Sequence, residues 1–329
     1  MNSILKEYDK KREILENLDK SLETLINSLL KQKGIKAHQI QTRVKDRDSL
    51  EKKILAKQKY ESLDDITDIV GIRIITYFED EVDKVANVVE DEFDIDRESS
   101  VDKREIDTDR FGYRSLHYVA SLKKNRTILS EYSDFETFKF EFQIRSILQH
   151  SWAEIEHDLG YKGASEIPSS AKRTFYRVAA LLEQADIEFV KLKSTIMEFE
   201  YSMHEKIKTK PDEVKINKAS LLSFMTTNEN LTRIENEIAS CNCSVSVVEN
   251  NTQSLISNSL IDRIKALGIE NIKDLEETYL IHEKRFIPDA QIDFKSTINT
   301  TFERGTSVLW LLVFLENMHN NNQPWSFNE

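Results

Sequence analysis

The chain has 329 residues, a formal net charge of −12, seven glycines and four prolines. Average usage is about 7% Gly and about 5% Pro, so collagen-like, Pro-rich and Gly/Ser low-complexity chains are excluded. Hydrophobic residues make up 39% of the sequence, which argues against general disorder. The composition indicates a helix-rich globular protein, and its negative charge argues against a DNA partner, because nonspecific DNA binding needs a basic face.

The length predicts two domains, because 329 residues is about twice the usual domain size. The longest apolar stretch, residues 308–315, is too short to span a membrane, and the first residues are too charged for a signal peptide. We therefore expect a cytoplasmic protein with no membrane partner. Cys241 and Cys243 are expected to be reduced, because their spacing suits neither a mutual disulfide nor a zinc site.

The first half of the chain predicts interleaved helices and strands. Apolar residues at three- and four-residue steps predict an amphipathic helix over residues 3–32. Ser49 is predicted to cap a second helix that runs to about residue 60. Strands are predicted at 69–78, 116–122 and 138–144, and two more helices at 82–93 and 146–159. The interleaving predicts an α/β (α+β) fold, a mixed β-sheet flanked by helices.

The second half predicts mainly helix. Apolar residues at helical spacing indicate a long helix or a helical hairpin over residues 170–206. A polar segment around Pro211 is the predicted boundary, which gives domains at 1–204 and 205–329. The second domain is predicted to be mostly helical, with a strand near 244–248 and a terminal apolar helix.

Basic residues cluster around the start of the predicted second helix. They are Arg43, Lys45, Ser49 and Lys53, of which the last two are four apart and share a helix face. Free N–H groups at a helix N-terminus together with basic side chains are typical of a phosphate-binding site. The alternative interpretation is a solvated, charged helix.

A carboxylate, a glycine and an arginine accompany the next predicted strand. Gly71 and Arg73 face one side of the strand and Asp68 lies just before it. The missing side chain leaves space for a metal or a phosphate, and a planar guanidinium can stack on a nucleobase. A salt bridge at the strand edge is the alternative.

Two further sets of candidate site residues occur at two-residue spacing along the remaining predicted strands. A glycine turn leads into Tyr113, Ser115 and His117, which share one face and suit base stacking, or a half-polar edge strand. Glu141 and Gln143 alternate in the same way within an otherwise apolar strand, where a polar face costs stability unless it is used or paired. Two carboxylates, a basic cluster and an aromatic platform together suit magnesium-assisted phosphoryl transfer between two nucleotides.

Four ordered motifs carry a resemblance to a known family. They are RVKDRDSLEKK from Arg43, DIVGIRI from Asp68, GYRSLH from Gly112 and FEFQIRSILQHSWAEIEHDLGYK from Phe140. In order and spacing they resemble the synthetase domain of the RelA/SpoT family, the alarmone (p)ppGpp synthetases, over residues 40–165. Residues 205–329 carry no such resemblance; their role is open, with regulation as one interpretation, and a homo-oligomer or a regulatory partner would bind through them.

The resemblance implies a nucleotidyltransferase-like fold and the transfer of the β,γ-pyrophosphate of ATP to the 3′-hydroxyl of GDP or GTP, with Mg²⁺ as cofactor. By motif position, Asp68 would ligate Mg²⁺, and Glu141 would assist it and act as general base. Arg43 and Arg73 would sandwich the adenine of ATP. The residues implied on the ATP phosphates are Lys45, Ser49 and Lys53. The residues implied for binding the acceptor or lining the site are Tyr113, Ser115, His117, His150 and Arg110, then Gln143, Arg145, His157 and Lys162.

One departure from the family pattern leaves the acceptor open. The usual lysine-containing lead into the Gly-Tyr turn is replaced by the acidic residues of segment 107–111, with only Arg110 nearby. A toxic relative that modifies the tRNA 3′ end or adenine nucleotides is therefore an alternative, and an inactive nucleotide-sensing module is a more remote one. We expect no hydrolase activity, because the only His-Asp pair lies inside the synthetase motif.

Overall fold

The computed structural model describes residues 2–102, 115–161, 169–295, 297 and 299–319. Contacts between residues divide the chain into two compact units, Met1–Lys193 and Ser194–Glu329. The division falls within one long helix, and the predicted boundary after residue 204 lies on that same helix. None of the described helices has both the length and the apolar character that a membrane span requires.

The described part of the first unit contains a mixed five-stranded sheet with the order β1-β2-β5-β4-β3. Strands β2 and β5 are parallel, and the other neighbours are antiparallel. The strands are β1 (Gln39–Val44), β2 (Val70–Thr76), β3 (Phe93–Asp102), β4 (Leu116–Leu122) and β5 (Phe140–Ser146). The predicted mixed sheet is confirmed.

Strands β1 and β3 were not predicted from the sequence, and their place in the sheet explains why. Both are edge strands, and their residues alternate between exposed and half-buried positions for most of their length. A strand that buries little apolar surface lacks the run of β-branched and aromatic residues by which strands are recognised. The central strands β2 and β5 carry that run and were predicted.

Helices flank this sheet, as predicted. Helices α1 and α3 contact the sheet and each other. The helices are α1 (Asn2–Gln32), α2 (Arg47–Lys57), α3 (Asp80–Glu92), α4 (Lys124–Thr127), α5 (Ile147–Tyr161) and α6 (Ser169–Thr209). The segment predicted as a long helix or a hairpin is one continuous helix, α6.

Helix α2 begins earlier than predicted. Its N-cap is Asp46, whose carboxylate accepts a hydrogen bond from the backbone N–H of Ser49 at 2.8 Å. The prediction of Ser49 as the cap is therefore wrong, and Ser49 lies exposed in the first turn. Both residue types are good caps, and the aspartate comes first along the chain.

The core of the first unit lies on one face of the sheet. Ile72, Phe140 and Phe142 are almost fully buried there and pack with residues of α1 and α3 such as Leu18 and Val85. Because strand side chains alternate between the two faces, the intervening residues of β2 and β5 point to the opposite face. That opposite face carries the polar residues of the candidate site.

The second unit is mainly helical, as predicted. In its described residues two short strands, β6 (Val245–Val248) and β7 (Thr300–Glu303), pair in parallel. The predicted strand near residue 245 is β6, whereas β7 was not predicted. The helices that follow α6 are α7 (Lys218–Thr227), α8 (Glu229–Ala239), α9 (Asn258–Ala266), α10 (Ile272–Phe294) and α11 (Thr306–His319).

A buried carboxylate holds the start of α11 in the second unit. Glu235 on α8 is fully buried and accepts hydrogen bonds from the backbone N–H groups of Gly305 and Ser307 and from the Ser307 hydroxyl. Burial raises the pKa of Glu235, although these hydrogen bonds act in the opposite direction. The close approach also constrains Gly305, which has a φ of +94°.

We predict that Gly305→Ala destabilises the second unit more than Gly268→Ala. Both glycines have positive φ, so alanine at either position costs about 1 to 2 kcal/mol of backbone strain. At Gly305 a Cβ would also lie 2.8 Å from Sδ of Met225, and overpacking of this kind adds about 1 to 3 kcal/mol. No heavy atom lies within 4 Å of a Cβ at Gly268. Urea denaturation of the two variants measures the difference, and equal losses of stability would contradict the steric argument.

Candidate active site

The polar face of the sheet brings predicted site residues into one row across three strands. The strand register pairs Arg43 on β1 with Gly71 on β2, and Gly71 with Glu141 on β5. A Cβ built at Gly71 would meet no heavy atom within 4 Å. The glycine therefore leaves open space between the Arg43 guanidinium and the Glu141 carboxylate.

A second, adjacent row crosses four strands. Gln41 on β1 pairs with Arg73 on β2, Arg73 with Gln143 on β5, and Gln143 with His117 on β4. Sequence reasoning missed Gln41, although its two-residue spacing from Arg43 would have indicated it once β1 was recognised. Six of the residues that border the resulting cleft are Arg43, Lys45, Asp68, Arg73, Glu141 and Gln143.

Asp68 lies in the turn before β2 and is held by two lysines. Lys53 Nζ on α2 lies 2.6 Å from Asp68 Oδ1, and Lys45 Nζ lies 3.2 Å from Oδ2. The Tyr8 hydroxyl on α1 donates a hydrogen bond of 2.7 Å to the backbone carbonyl of Lys45 and fixes this part of the chain. Tyr8 was not recognised from sequence, because it is an ordinary apolar-face residue of a long helix.

Glu141 is ionised and held through one oxygen. His117 Nδ1 lies 2.8 Å from Glu141 Oε1, and Gln143 Nε2 donates to the same oxygen at 2.9 Å. Burial raises the pKa of Glu141, but the hydrogen bonds from His117 and Gln143 and the charge of Lys53 outweigh burial and bring the pKa down to about 2. The carboxylate therefore stays charged throughout the neutral range.

Helix α5 closes one side of the site through Arg73. The Arg73 guanidinium forms an ion pair of 2.9 Å with Glu154 on α5. Burial and the neighbouring charge of Arg73 lower the pKa of His150, which lies one helical turn before Glu154, so that its ring is neutral at pH 7. The spacing of His150, Glu154 and His157 at i, i+4 and i+7 can imitate a two-histidine, one-carboxylate metal set. In the described residues no group of three or more His, Cys, Asp or Glu side chains is arranged to hold a metal ion.

A buried polar cluster sets where α5 begins. Ser146 and Gln149 form a capping box: the Ser146 hydroxyl accepts from the Gln149 N–H at 3.1 Å, and the Gln149 side chain accepts from the Ser146 N–H at 2.9 Å. The Ser146 hydroxyl donates to Asp186 on α6 at 2.7 Å. Burial, together with the charge of Glu79, raises the pKa of Asp186 to about 6 against the effect of the Ser146 hydrogen bond. Sequence reasoning missed Asp186, because its partner is 40 residues away.

The remaining predicted site residues do not border the cleft or are not described. Ser115 is fully buried, Arg145 is 4% exposed and supports Gln143, and His157 lies exposed on α5. Ser49 is exposed on α2 and hydrogen-bonds the Asp46 carboxylate. Predictions that lie outside the described residues concern Arg110, Tyr113 and Lys162.

The donor set of the cleft suits a hard divalent cation and a polyphosphate. Mg²⁺ is usually bound by one or two carboxylates together with substrate phosphates, and Asp68 and Glu141 supply two carboxylates. Arg43, Lys45 and Arg73 supply positive charge around them, which suits phosphate oxygens. The residues present therefore fit Mg²⁺.

The chain is similar to known proteins in the part that contains this cleft. The family model described as "Region found in RelA / SpoT proteins" matches residues 42–166. The GTP pyrophosphokinase YwaC of Bacillus subtilis is 31% identical over 160 residues, which cover 47% of this chain and 73% of YwaC. The GTP pyrophosphokinase YjbM of the same organism is 28% identical over 148 residues, which cover 44% of this chain and 66% of YjbM.

Solved structures of similar proteins include two small alarmone synthetases of Bacillus subtilis. Synthetase 2 has a TM-score of 0.49 and 25% identity, covering 57% of this chain and 98% of its own. Synthetase 1 bound to its product pppGpp has a TM-score of 0.46 and 25% identity, covering 58% of this chain and 97% of its own. On the sequence similarity to YwaC and the family match, the chain belongs to the RelA/SpoT family.

We predict that Asp186→Asn removes a pH-dependent destabilisation of the first unit. Because the pKa of Asp186 is raised in the folded state, folding holds its proton more tightly, and wild-type stability falls as pH rises from about 4 to above 6. The neutral amide of the variant does not ionise, so its stability does not fall in this way. The free energy of unfolding of the variant, measured by urea denaturation, should therefore gain about 1 to 3 kcal/mol on wild type between about pH 4 and pH 7.

Asp96→Asn is the matched control. Hydrogen bonding from Lys139 outweighs burial and lowers the pKa of Asp96 to about 2, so this group is already ionised above about pH 4. The difference in free energy of unfolding between Asp96→Asn and wild type should stay constant over the same pH range. A flat difference for Asp186→Asn as well would show that the buried carboxylate does not titrate in this range.

Proposed function

We propose that this chain is a nucleotide pyrophosphokinase that transfers the β,γ-pyrophosphate of ATP to the 3′-hydroxyl of GDP or GTP, forming (p)ppGpp. The observation that carries the proposal is the pair of carboxylates, Asp68 and Glu141, beside the open floor at Gly71 in a cleft with cationic walls. The names of the relatives YwaC and YjbM, both GTP pyrophosphokinases, support the same reaction.

The basic residues would bind the donor. Arg43 and Arg73 project from neighbouring strands on the same face, and Gly71 lies opposite Arg43 and two residues before Arg73. Planar guanidinium groups stack well on a purine. Lys45 and Lys53 are paired with Asp68, and the phosphates of ATP would share these ammonium groups. The Arg73–Glu154 ion pair would hold one of the two stacking guanidinium groups in place.

Mg²⁺, held by Asp68 and Glu141, would neutralise charge on the transferring phosphates. In the transfer, the acceptor 3′-oxygen forms a bond to the β-phosphorus of ATP, the bond from that phosphorus to the α,β-bridging oxygen breaks, and AMP leaves with the bonding electrons. The 3′-hydroxyl proton passes to Glu141. With a pKa of about 2, Glu141 is a weak base that orients the hydroxyl first and takes the proton as the new bond forms.

The acceptor identity rests on the relatives. His150 on α5 is neutral and lies next to the Arg73–Glu154 pair, which suits hydrogen bonding to an uncharged base edge. Tyr113, the predicted stacking partner of the acceptor base, lies outside the described residues. GDP and GTP are therefore the acceptors we expect, and adenine nucleotides and tRNA are outcomes that the assay distinguishes.

The test offers ATP labelled in the β-phosphate, with Mg²⁺, to GDP, GTP, AMP, ADP and bulk tRNA in parallel. We expect label to appear in a pyrophosphorylated guanine nucleotide together with one equivalent of AMP. Label in tRNA or in an adenine nucleotide would keep the transferase chemistry and overturn the acceptor. No labelled product with any acceptor, at any protein concentration, would overturn the proposed function.

The two carboxylates are tested by conservative substitution. Asp68→Asn and Glu141→Gln keep shape and remove charge, so transfer should fall by about 10²- to 10⁴-fold in each while the thermal melting curve is retained. Asp64→Asn is the control, because Asp64 is an exposed aspartate a few residues before Asp68 and its nearest basic partner is Lys11, at 3.6 Å. Activity near wild type in either site variant would overturn the assignment of the site.

A further inference from the structure

His117 shares the sheet face of the cleft, but its ring is already engaged. It lies directly opposite Gln143 in the β4–β5 register and one diagonal step from Glu141, which pairs with Val119. Diagonal neighbours on antiparallel strands are within reach of long and aromatic side chains. His117 Nδ1 lies 2.8 Å from Oε1 of this diagonal neighbour, Glu141.

The 2.8 Å contact with the Glu141 carboxylate indicates which ring nitrogen of His117 carries hydrogen. An ionised carboxylate only accepts hydrogen bonds, so Nδ1 of His117 is the donor. In the neutral ring Nε2 is then the unprotonated nitrogen. Nε2 is buried and has no hydrogen-bond partner among the described residues. The ring therefore offers its donor to Glu141 and offers no exposed ring nitrogen to a nucleotide in the cleft.

Gln143 completes the clamp on the same oxygen. Arg145 Nη2 donates to Gln143 Oε1 at 2.7 Å, which fixes the amide orientation and turns its N–H group toward Glu141. Glu141 Oε1 thus accepts from two neighbours on the sheet, and no described residue donates to Oε2. A carboxylate held through one oxygen cannot rotate freely, so its second oxygen keeps one direction.

We infer that His117 is a positioning residue that acts through Nδ1, clamping Glu141 Oε1 together with Gln143 so that Oε2 faces the reacting groups. This inference rests on the proposed function for its catalytic consequence, and it replaces the expectation that His117 binds the acceptor. Hydrogen-bonding partners of functional carboxylates usually matter through orientation, and their loss typically lowers metal affinity or activity by about 10- to 100-fold.

Asparagine and glutamine distinguish the two nitrogens of the ring. The amide nitrogen of Asn is attached to Cγ, as Nδ1 is, whereas the amide nitrogen of Gln stands one atom further out, as Nε2 does. His117→Asn therefore keeps a donor for Glu141, and His117→Gln keeps only a donor at the far position. His117→Ala removes both.

The kinetic test compares kcat and the acceptor KM in the three variants. We expect kcat to fall by about 10- to 100-fold in His117→Gln and His117→Ala and by less than about threefold in His117→Asn, with the acceptor KM unchanged throughout. A raised acceptor KM that Gln restores and Asn does not would make His117 an acceptor ligand through Nε2 and overturn the inference. The matched control is His204→Gln, because His204 Nδ1 also bonds a neighbour, Thr227 at 2.9 Å, in the second unit.

The hydrogen bond itself is tested without activity and without a variant that must fold well. In wild-type protein with ¹⁵N-labelled histidines, nuclear magnetic resonance should show a proton on Nδ1 of His117. A His117 ring protonated only at Nε2 would overturn the inference, whatever the kinetics. If wild type transfers no pyrophosphate to any acceptor, the proposed function fails, and this measurement still decides whether His117 donates to Glu141.

Discussion

The candidate site depends on placing two carboxylates, Asp68 and Glu141, beside one cleft and giving each its own hydrogen-bonding or cationic partners. Like charges close together disfavour ionisation of both groups, so an unbalanced pair would share a proton and lose its use as a cation site. Asp68 is balanced by Lys45 and Lys53, which reach it from the end of β1 and from α2. Glu141 is balanced within the sheet by His117 and Gln143. Each carboxylate therefore has its own cationic or hydrogen-bonding partners.

The sheet of the first unit has one apolar face and one polar face, and this difference explains where the core and the cleft lie. One face buries apolar residues such as Phe140 and Phe142 against α1 and α3. The other face stays polar and open at Gly71, where α5 supplies Glu154 to Arg73. Helix α5 is set in place by the capping box at Ser146 and by the buried Asp186 of α6, so residues far from the cleft determine its geometry. The regulatory role of residues 205–329 stays a prediction.

Much of the fold and part of the site were predictable from local patterns. Apolar runs identified β2, β4 and β5, and helical periodicity identified α1, α3, α5 and α6. The edge strands β1 and β3 were missed because they bury too little apolar surface to show a run. The cap of α2 was misplaced because two good capping residues, Asp46 and Ser49, stand close together. Gln41 was missed because β1 was not recognised as a strand, and Tyr8 was missed because its role comes from packing, which leaves no local pattern.

The sequence by itself determined which chemical groups are available and the order in which they occur: the alternation that puts Gly71 with Arg73 and Glu141 with Gln143, and the motifs that indicated the RelA/SpoT family. Only the tertiary structure decided which of these groups meet. His117 contacts Glu141, 24 residues away, because strand order and register, unlike spacing, set which side chains are diagonal neighbours. Contacts between strands are fixed by burial of the opposite face, and that constraint is a property of the whole sheet.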